Sequence, residues 1–386
     1  QIRVPLPTLS PLERSRRRMA FAPSYNFYRV QSAKTHKPLI STYPPGTPFH
    51  IYEHELWFSD AWDPLEFGRN NYDDRRPFFE QFRELQRAVP RPNLFVDTTN
   101  VNSEYTNSSH HLKNSYMTFD SAYGENQYYS EFCPESKDCV DCWILTKSES
   151  CYKSWGDQLY KCIWCHYCFV CLDSFFLYDC TNCEHCFMSS NLRNKKYCFY
   201  NQQLTREEYE ERMRNMNLGN YAELQKYVQD FEMLKQNAIR RSTFNEHAVN
   251  SVGDWVIHSR DCFNVLFASE SERVAYSQGV AQCRDSYDCL FGYNTELCYE
   301  FLAISMGENN HGNKFSSLAN NSRDLEYCDL CYNCHDCFGC VGLRNRSFCV
   351  FNVQYTEDQY WQKVDHIKTA MLAAGEYGEF FPPALS

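Results

Sequence analysis

Two textures of apolar and polar positions alternate along this chain. Between Asp74 and Leu85 the residues Phe78, Phe79, Phe82 and Leu85 recur at helical spacing, which predicts an amphipathic helix that stops near Pro90 and Pro92. An aromatic stripe of this kind is more often core than a cofactor box. From Thr98 the helical period is lost, and short runs of Tyr, Phe, Ser, Asn and Cys with few helix formers take over. Helical texture returns twice. Thr205 with Glu208, and Thr356 with Gln359, have the spacing of capping boxes. The first of these stretches is expected to run towards Leu234 with a break around Gly219, joining two strand-rich regions and capping the open end of the first.

The strand-rich texture is duplicated. Cys180, Cys183, Cys186, Leu192, Arg193, Asn194, Cys198, Asn201, Gln203, Thr205 and Tyr209 all recur 151 positions later. Further back, Tyr129-Ser130 matches Tyr276-Ser277, and Cys142 and Cys151 match Cys289 and Cys298, at an offset of 147. Residues 98–209 therefore recur as 245–360, with a few residues inserted in the second copy. Apolar anchors at Tyr116, Trp143, Phe169 and Phe187, and at Phe263, Leu290, Phe315 and Phe338, stand 18 to 27 residues apart. That spacing predicts four coils of a β-solenoid per copy, with ladders of like residues inside. The expected fold is mainly β with helices: two tandem Cys/aromatic-rich solenoid-like units, joined and capped by helices, after an irregular N-terminal region. The expected boundaries are an arm at 1–45, an aromatic helical region at 46–97, solenoid units at 98–204 and 245–355, connecting helices at 205–244, and a C-terminal helix and tail at 356–386.

Composition narrows the function. The formal charge of −11 over 386 residues argues against nucleic acid wrapped over most of the surface. The 28 Tyr, 28 Phe and 7 Trp allow much buried area per residue. No apolar run approaches the roughly 20 residues of a membrane-spanning helix. The chain begins at Gln1 and stops soon after Pro382-Pro383, so it is expected to be a processed or truncated piece of something longer. A core-bearing chain of this length with 22 Cys is read as a reduced, cytoplasmic protein in preference to a secreted disulfide scaffold.

The cysteines carry the sharpest chemical hypothesis. Cys162, Cys165, Cys168 and Cys171 stand at C-x2-C steps, as do the five from Cys328 to Cys340, a spacing that suits zinc. The repeat argues the other way. Cys139 becomes Ser286, Cys133 becomes Val280, and Cys165, Cys168 and Cys171 are set against His311, Lys314 and Ser317. Exchange with Val or Lys suits packed free thiols better than a four-ligand site. Zinc remains the candidate cofactor at Cys180, Cys183 and Cys186, with Cys331, Cys334 and Cys337 as the twin site, and disulfides are a third reading. Arg14, Arg16, Arg17 and Arg18, interleaved with Tyr25, Phe27 and Tyr28, form a basic arm able to contact phosphates locally, or a solvated arm that packs on the next domain. Arg193 and Arg344, fixed in both copies, are candidate anion contacts or partners of a nearby carboxylate. His185 and His335 do not align with each other, and no phosphate loop, nucleophile elbow or dinucleotide fingerprint is present.

Five stretches carry a resemblance: Trp57-Phe58-Ser59-Asp60-Ala61-Trp62-Asp63-Pro64, Phe78-Phe79-Glu80-Gln81-Phe82, the two Leu-Arg-Asn blocks, and Tyr377-Gly378-Glu379-Phe380-Phe381-Pro382. Over nearly its whole length the chain resembles a Cys-rich repeat family of uncultured small-genome bacteria, whose members often bear a misleading CoA-transferase label. The resemblance implies an N-terminal zinc ribbon, but Ser10-Pro11-Leu12-Glu13-Arg14 and Ser32 stand where its cysteines belong, so the ribbon is degenerate here. It implies architecture and no activity. The expected function is a non-enzymatic binding or scaffold protein whose partner is a protein, a ribonucleoprotein or a second copy. The alternatives are a zinc-binding structural or redox protein, and a polymer-acting enzyme in a solenoid groove.

Overall fold

The computed structural model describes residues 4–22, 25–69, 72–96, 99–121, 123–130, 143–146, 155–157, 161–307 and 309–385. The chain is mixed α/β. Six helices occur among the described residues: α1 Pro11–Met19, α2 His54–Phe58, α3 Phe78–Ala88, α4 Arg206–Arg214, α5 Tyr221–Asn237 and α6 Glu357–Ala374. The remainder is dominated by short parallel strands. Residues 1–95 and 242–386 form one compact unit, and 96–241 form another.

In the 96–241 unit, strands Ile163–His166, Phe175–Tyr178, Phe187–Ser190 and Cys198–Phe199 pair in parallel with Ile163, Phe175, Phe187 and Phe199 in register. Each step is twelve residues. The same step carries His311 onto Arg323, His335 and Ser347 in the other unit. The repeat step is therefore twelve residues, in place of the 18 to 27 of the anchor spacing. The reason lies in the backbone. Every third residue from Lys161 to Tyr200 has a positive φ, and so has every third from His258 to Glu300 and from Asn309 to Phe351. A left-handed residue turns the chain, so three-residue sides exchange direction four times in each twelve-residue rung. Asn, Asp and Gly occupy this conformation most readily, which accounts for much of the Asn content. Large apolar residues also occupy it and stack from rung to rung, as Trp164 does on Phe176 at 5.9 Å and Phe315 on Tyr327 at 5.0 Å.

The change of offset between the copies has a local cause. In the first copy Trp143 pairs with Trp155 and Leu145 with Gly156. In the second, Leu290 pairs with Leu302 and Gly292 with Gly307. Positions 155 and 302 differ by 147, and positions 156 and 307 by 151, so the four extra residues are 303–306, bulged from one strand. Beyond that point the offset is 151. Cys165, Cys168 and Cys171 are therefore the counterparts of Ser316, Ala319 and Ser322, and the assignment to His311, Lys314 and Ser317 is corrected. All three true counterparts are buried and small.

The positions immediately preceding the strand-bridging ones point inwards and are filled by Cys, Ser, Ala, Val, Leu and Asn. Each rung turns an amide inwards that needs a partner, and a carbonyl that already accepts from the next rung, as Ser269 does from the Gln282 amide, and has room for a second donor. Ser271 serves both: its hydroxyl donates to the Ser269 carbonyl at 2.8 Å and accepts from the Cys283 amide of the next rung at 3.1 Å. Ser174, Ser277 and Ser322 repeat the pattern. A cysteine makes the first of these bonds: the Cys283 thiol donates to the Ala281 carbonyl at 3.4 Å. Cys and Ser are thus nearly interchangeable along a ladder.

Helices cover the outward faces. In the 96–241 unit, Phe231 of α5 is fully buried and packs on Phe176 at 5.7 Å and His166 at 5.3 Å. The expected break near Gly219 separates α4 from α5, and both predicted capping boxes are present. In the other unit α3 buries Phe78, Phe82 and Leu85, with Phe78 lying 5.1 Å from Tyr327 and 5.7 Å from Phe338. It starts at Phe78 rather than Asp74, because Pro77 takes the cap position. Glu326 clamps α6 and the tail, accepting from Lys368 at 2.8 Å and from Tyr377 at 3.0 Å. Among the described residues no helix is long and apolar enough to cross a membrane.

Candidate functional site: a polar groove beside the second Leu-Arg-Asn turn

Two stretches that stand out in the sequence meet in the 1–95/242–386 unit. Trp57 of α2 is fully buried and its indole N–H donates to the Pro90 carbonyl at 2.8 Å. The Trp62 indole donates back to the Trp57 carbonyl, also at 2.8 Å, which fixes the turn between them. Asp63 then caps a short 3-10 turn, accepting from the Leu65 amide at 3.0 Å. Arg344, on the Leu343-Arg344-Asn345 turn, lies over the Trp57 and Trp62 rings at 5.5 and 5.0 Å and donates to the Ser59 and Trp62 carbonyls. Burial pushes its guanidinium down from the usual value, and the carboxylates of Asp60 and Asp63 oppose the shift. Arg346 reaches the other Asp63 oxygen at 2.9 Å.

A groove of about 470 Å³ lies between this segment and the rung faces. Its floor is a ladder of carboxamides. Asn321 donates to Asn333, and Asn333 donates to Asn345 at 2.9 Å. All three are left-handed, a conformation Asn tolerates, and an amide that both donates and accepts can continue such a ladder indefinitely. Its aromatic side is Phe58, Trp62 and Tyr332, with Phe58 and Tyr332 edge to face at 5.3 Å. The first copy has the same turn without the wall. There Arg193 donates to the Asp179 carboxylate at 2.9 Å, Asn182 donates to Asn194 at 2.7 Å, and exposed Val170 stands where the second copy has Asn321.

The other sequence candidates are taken up inside the protein. Arg14 and Arg18 are buried on Asp288, and Arg14, Arg17 and Arg18 surround Glu300 within 3.7 Å. Arg17 also pairs with Glu379 at 2.9 Å. The basic arm is corrected to a docked helix, α1, whose cations neutralise carboxylates that would otherwise be buried alone. Arg16 is the exposed member and pairs with Glu13. Arg16 and Arg17 line a second cavity, of about 600 Å³, with Glu13 and Glu379 also in its wall. Of the two serines expected in place of ribbon cysteines, Ser10 caps α1, and the Ser32 hydroxyl donates to Glu53 at 2.7 Å. Neither serine supplies a soft zinc ligand.

Eighteen cysteines lie among the described residues, all buried and none in a disulfide. Cys133, Cys139, Cys142 and Cys151 lie outside them. Cys180, Cys183 and Cys186 donate to the Tyr178, Thr181 and Glu184 carbonyls at 3.4–3.5 Å, and Cys331, Cys334 and Cys337 do the same at 3.2–3.6 Å. Among the described residues no group of three or more His, Cys, Asp or Glu is arranged to hold a metal ion. Burial pushes the Cys283 thiol up to about 11 and those of Cys289 and Cys298 further. His185 lies on Tyr197 at 5.4 Å, and His335 bonds to Asp336 at 2.9 Å.

Sequence reasoning named Arg344 and missed its neighbours. A signal was present: Asn321, Asn333 and Asn345 recur at the twelve-residue step, which the anchor spacing concealed. The chain matches no known family model and no curated protein.

Proposed function

We propose that the chain is a non-enzymatic binding or scaffold protein built on two tandem β-solenoids, with the polar groove of the second as its contact face. The parallel twelve-residue rungs with small inward side chains support the solenoid reading. One observation carries the functional reading. The reactive residue types that the sequence singles out are engaged in internal contacts, whereas the groove keeps polar groups uncommitted. Among the described residues, no hydrogen bond reaches the Asp60 carboxylate and the Asn345 side-chain amide donates none.

The cysteines are read as packed free thiols. Each thiol of the two candidate triads donates to a main-chain carbonyl, an internal partner it would have to give up to become a zinc ligand. Reduced thiols fit a cytoplasmic compartment. Catalysis on a polymer is less well supported, since it needs two carboxylates across the substrate. Asp60 and Asp63 lie on one segment, and Asp63 is held by Leu65 and Arg346. A ribonucleoprotein contact through α1 is weakened by the engagement of its arginines.

The test is thermal unfolding against a panel of saccharides, peptides, RNA and nucleotides, for the wild type and Asn333→Tyr. Tyrosine already occupies the left-handed position at Tyr167, Tyr197 and Tyr327, so the variant fills the groove without a new backbone demand. A ligand class that raises Tm by several degrees in the wild type alone supports the groove. Equal shifts in both proteins, or turnover of a panel member, would sink the reading.

A further inference from the structure

We propose that the groove binds a neutral saccharide chain, laid along the asparagine ladder. This deepens the reading of the groove as the contact face and rests on it.

Charge comes first. Arg344 and Arg346 are matched in the groove wall by Asp60 and Asp63, with Arg346 directly on Asp63. Arg344 is given to the Ser59 and Trp62 carbonyls, the lining carries no net positive charge to draw a phosphate or a carboxylate, and Asp60 repels both. A neutral ligand remains. Hydrogen bonding comes next. Among the described residues, the Asn345 side-chain amide at one end of the ladder donates no hydrogen bond, and the Asn321 side-chain carbonyl oxygen at the other accepts none. Asp60 adds a second open acceptor. A ligand that satisfies donors and acceptors alike, at several points in a row, is one rich in hydroxyls, since each hydroxyl both donates and accepts. Phe58 and Tyr332 supply apolar surface beside these polar groups, as the C–H faces of sugar rings require.

Length completes the argument. Successive rungs are about 4.8 Å apart, so the three asparagines span about 10 Å in a straight line. That is an oligomer's footprint rather than a single ring's. The first copy separates the ladder from the site: it keeps Asn182 and Asn194, yet its equivalent of Asn321 is Val170 and its Arg193 pairs with Asp179. The groove is thus a property of the second copy and not a by-product of the repeat.

Titration calorimetry with cellohexaose, xylohexaose, chitohexaose and maltohexaose tests this, on the wild type, Asn345→Ala and Asn333→Tyr. Expected is binding of at least one with Kd below about 1 mM, weakened roughly tenfold by Asn345→Ala, the loss of about one hydrogen bond, and abolished by Asn333→Tyr. Hexauridylate and an anionic hyaluronan hexasaccharide are expected not to bind. Absence of binding by all four neutral chains overturns the proposal, as does binding that both variants leave unchanged. The two levels fail differently. RNA or a peptide bound by the wild type and lost in Asn333→Tyr would keep the groove and remove the saccharide. A neutral chain bound equally by Asn333→Tyr would remove the groove itself.

Discussion

Ser271 and Cys283 stand one rung apart on a single inward ladder, and their chemistry explains why the repeat exchanges Cys for Ser so freely. The serine hydroxyl serves two backbone groups, the Ser269 carbonyl and the Cys283 amide. The cysteine thiol is a weaker donor to the Ala281 carbonyl. Replacing Cys283 by Ser is expected to change stability by less than about 1 kcal/mol. Replacing Ser271 by Ala leaves the buried Cys283 N–H without its acceptor, although the Ser269 carbonyl keeps the Gln282 amide, and should cost about 1–3 kcal/mol. Denaturant titration of the two variants checks this, and equal costs would refute the ladder argument. The mirror exchange at Cys139 lies outside the described residues, but its partner Ser286 does behave this way, donating to the Arg284 carbonyl at 2.9 Å.

At the scale of elements, the helices are held by faces that only the assembled rungs create. The approach of α5 removes His166 from water. That burial, reinforced by Lys235, pushes its imidazole down to about 4. The unfolded chain takes up a proton near pH 6.5, whereas the folded protein resists protonation down to about pH 4. The stability tied to this residue is full above pH 6.5 and drains as pH falls towards 4, by about 3 kcal/mol at most. Unfolding free energies measured from pH 7 to 4.5 should fall more steeply for the wild type than for His166→Phe. Parallel curves would remove His166 as a cause. The capping boxes of α4 and α6 were readable because a cap is a local pattern of four residues. The start of α3 was misread by four residues, because apolar period alone does not register the cap at Pro77.

For the whole molecule, the question is whether 22 cysteines make a metal protein. The prediction is well below one zinc per chain in protein purified without reductant or chelator, with the thiols titrating fully after denaturation. About two zinc ions per chain, with thiols masked, would instead restore Cys180, Cys183 and Cys186 and their twins as ligands. Either result leaves the rungs standing, because the backbone bonds that define them run between main-chain groups at twelve-residue steps.

The duplication, its two offsets, the Cys/Ser exchange and the helix caps are legible in the sequence, since each is a matter of residue identity at fixed separations. The twelve-residue period was present too, in Asn321, Asn333 and Asn345, but was hidden because the large aromatics fall on both bridging and left-handed positions and so mark no single side of a rung. The fate of the arginines was not legible. Arg14 and Arg18 sit some 270 residues from Asp288 in sequence, and no local pattern reveals which carboxylate a cation will meet. The groove has the same origin. Its two walls are separated by more than 250 positions, and only folding of the Trp57–Pro64 turn over the second copy brings indole faces, a guanidinium and a column of carboxamides to one place.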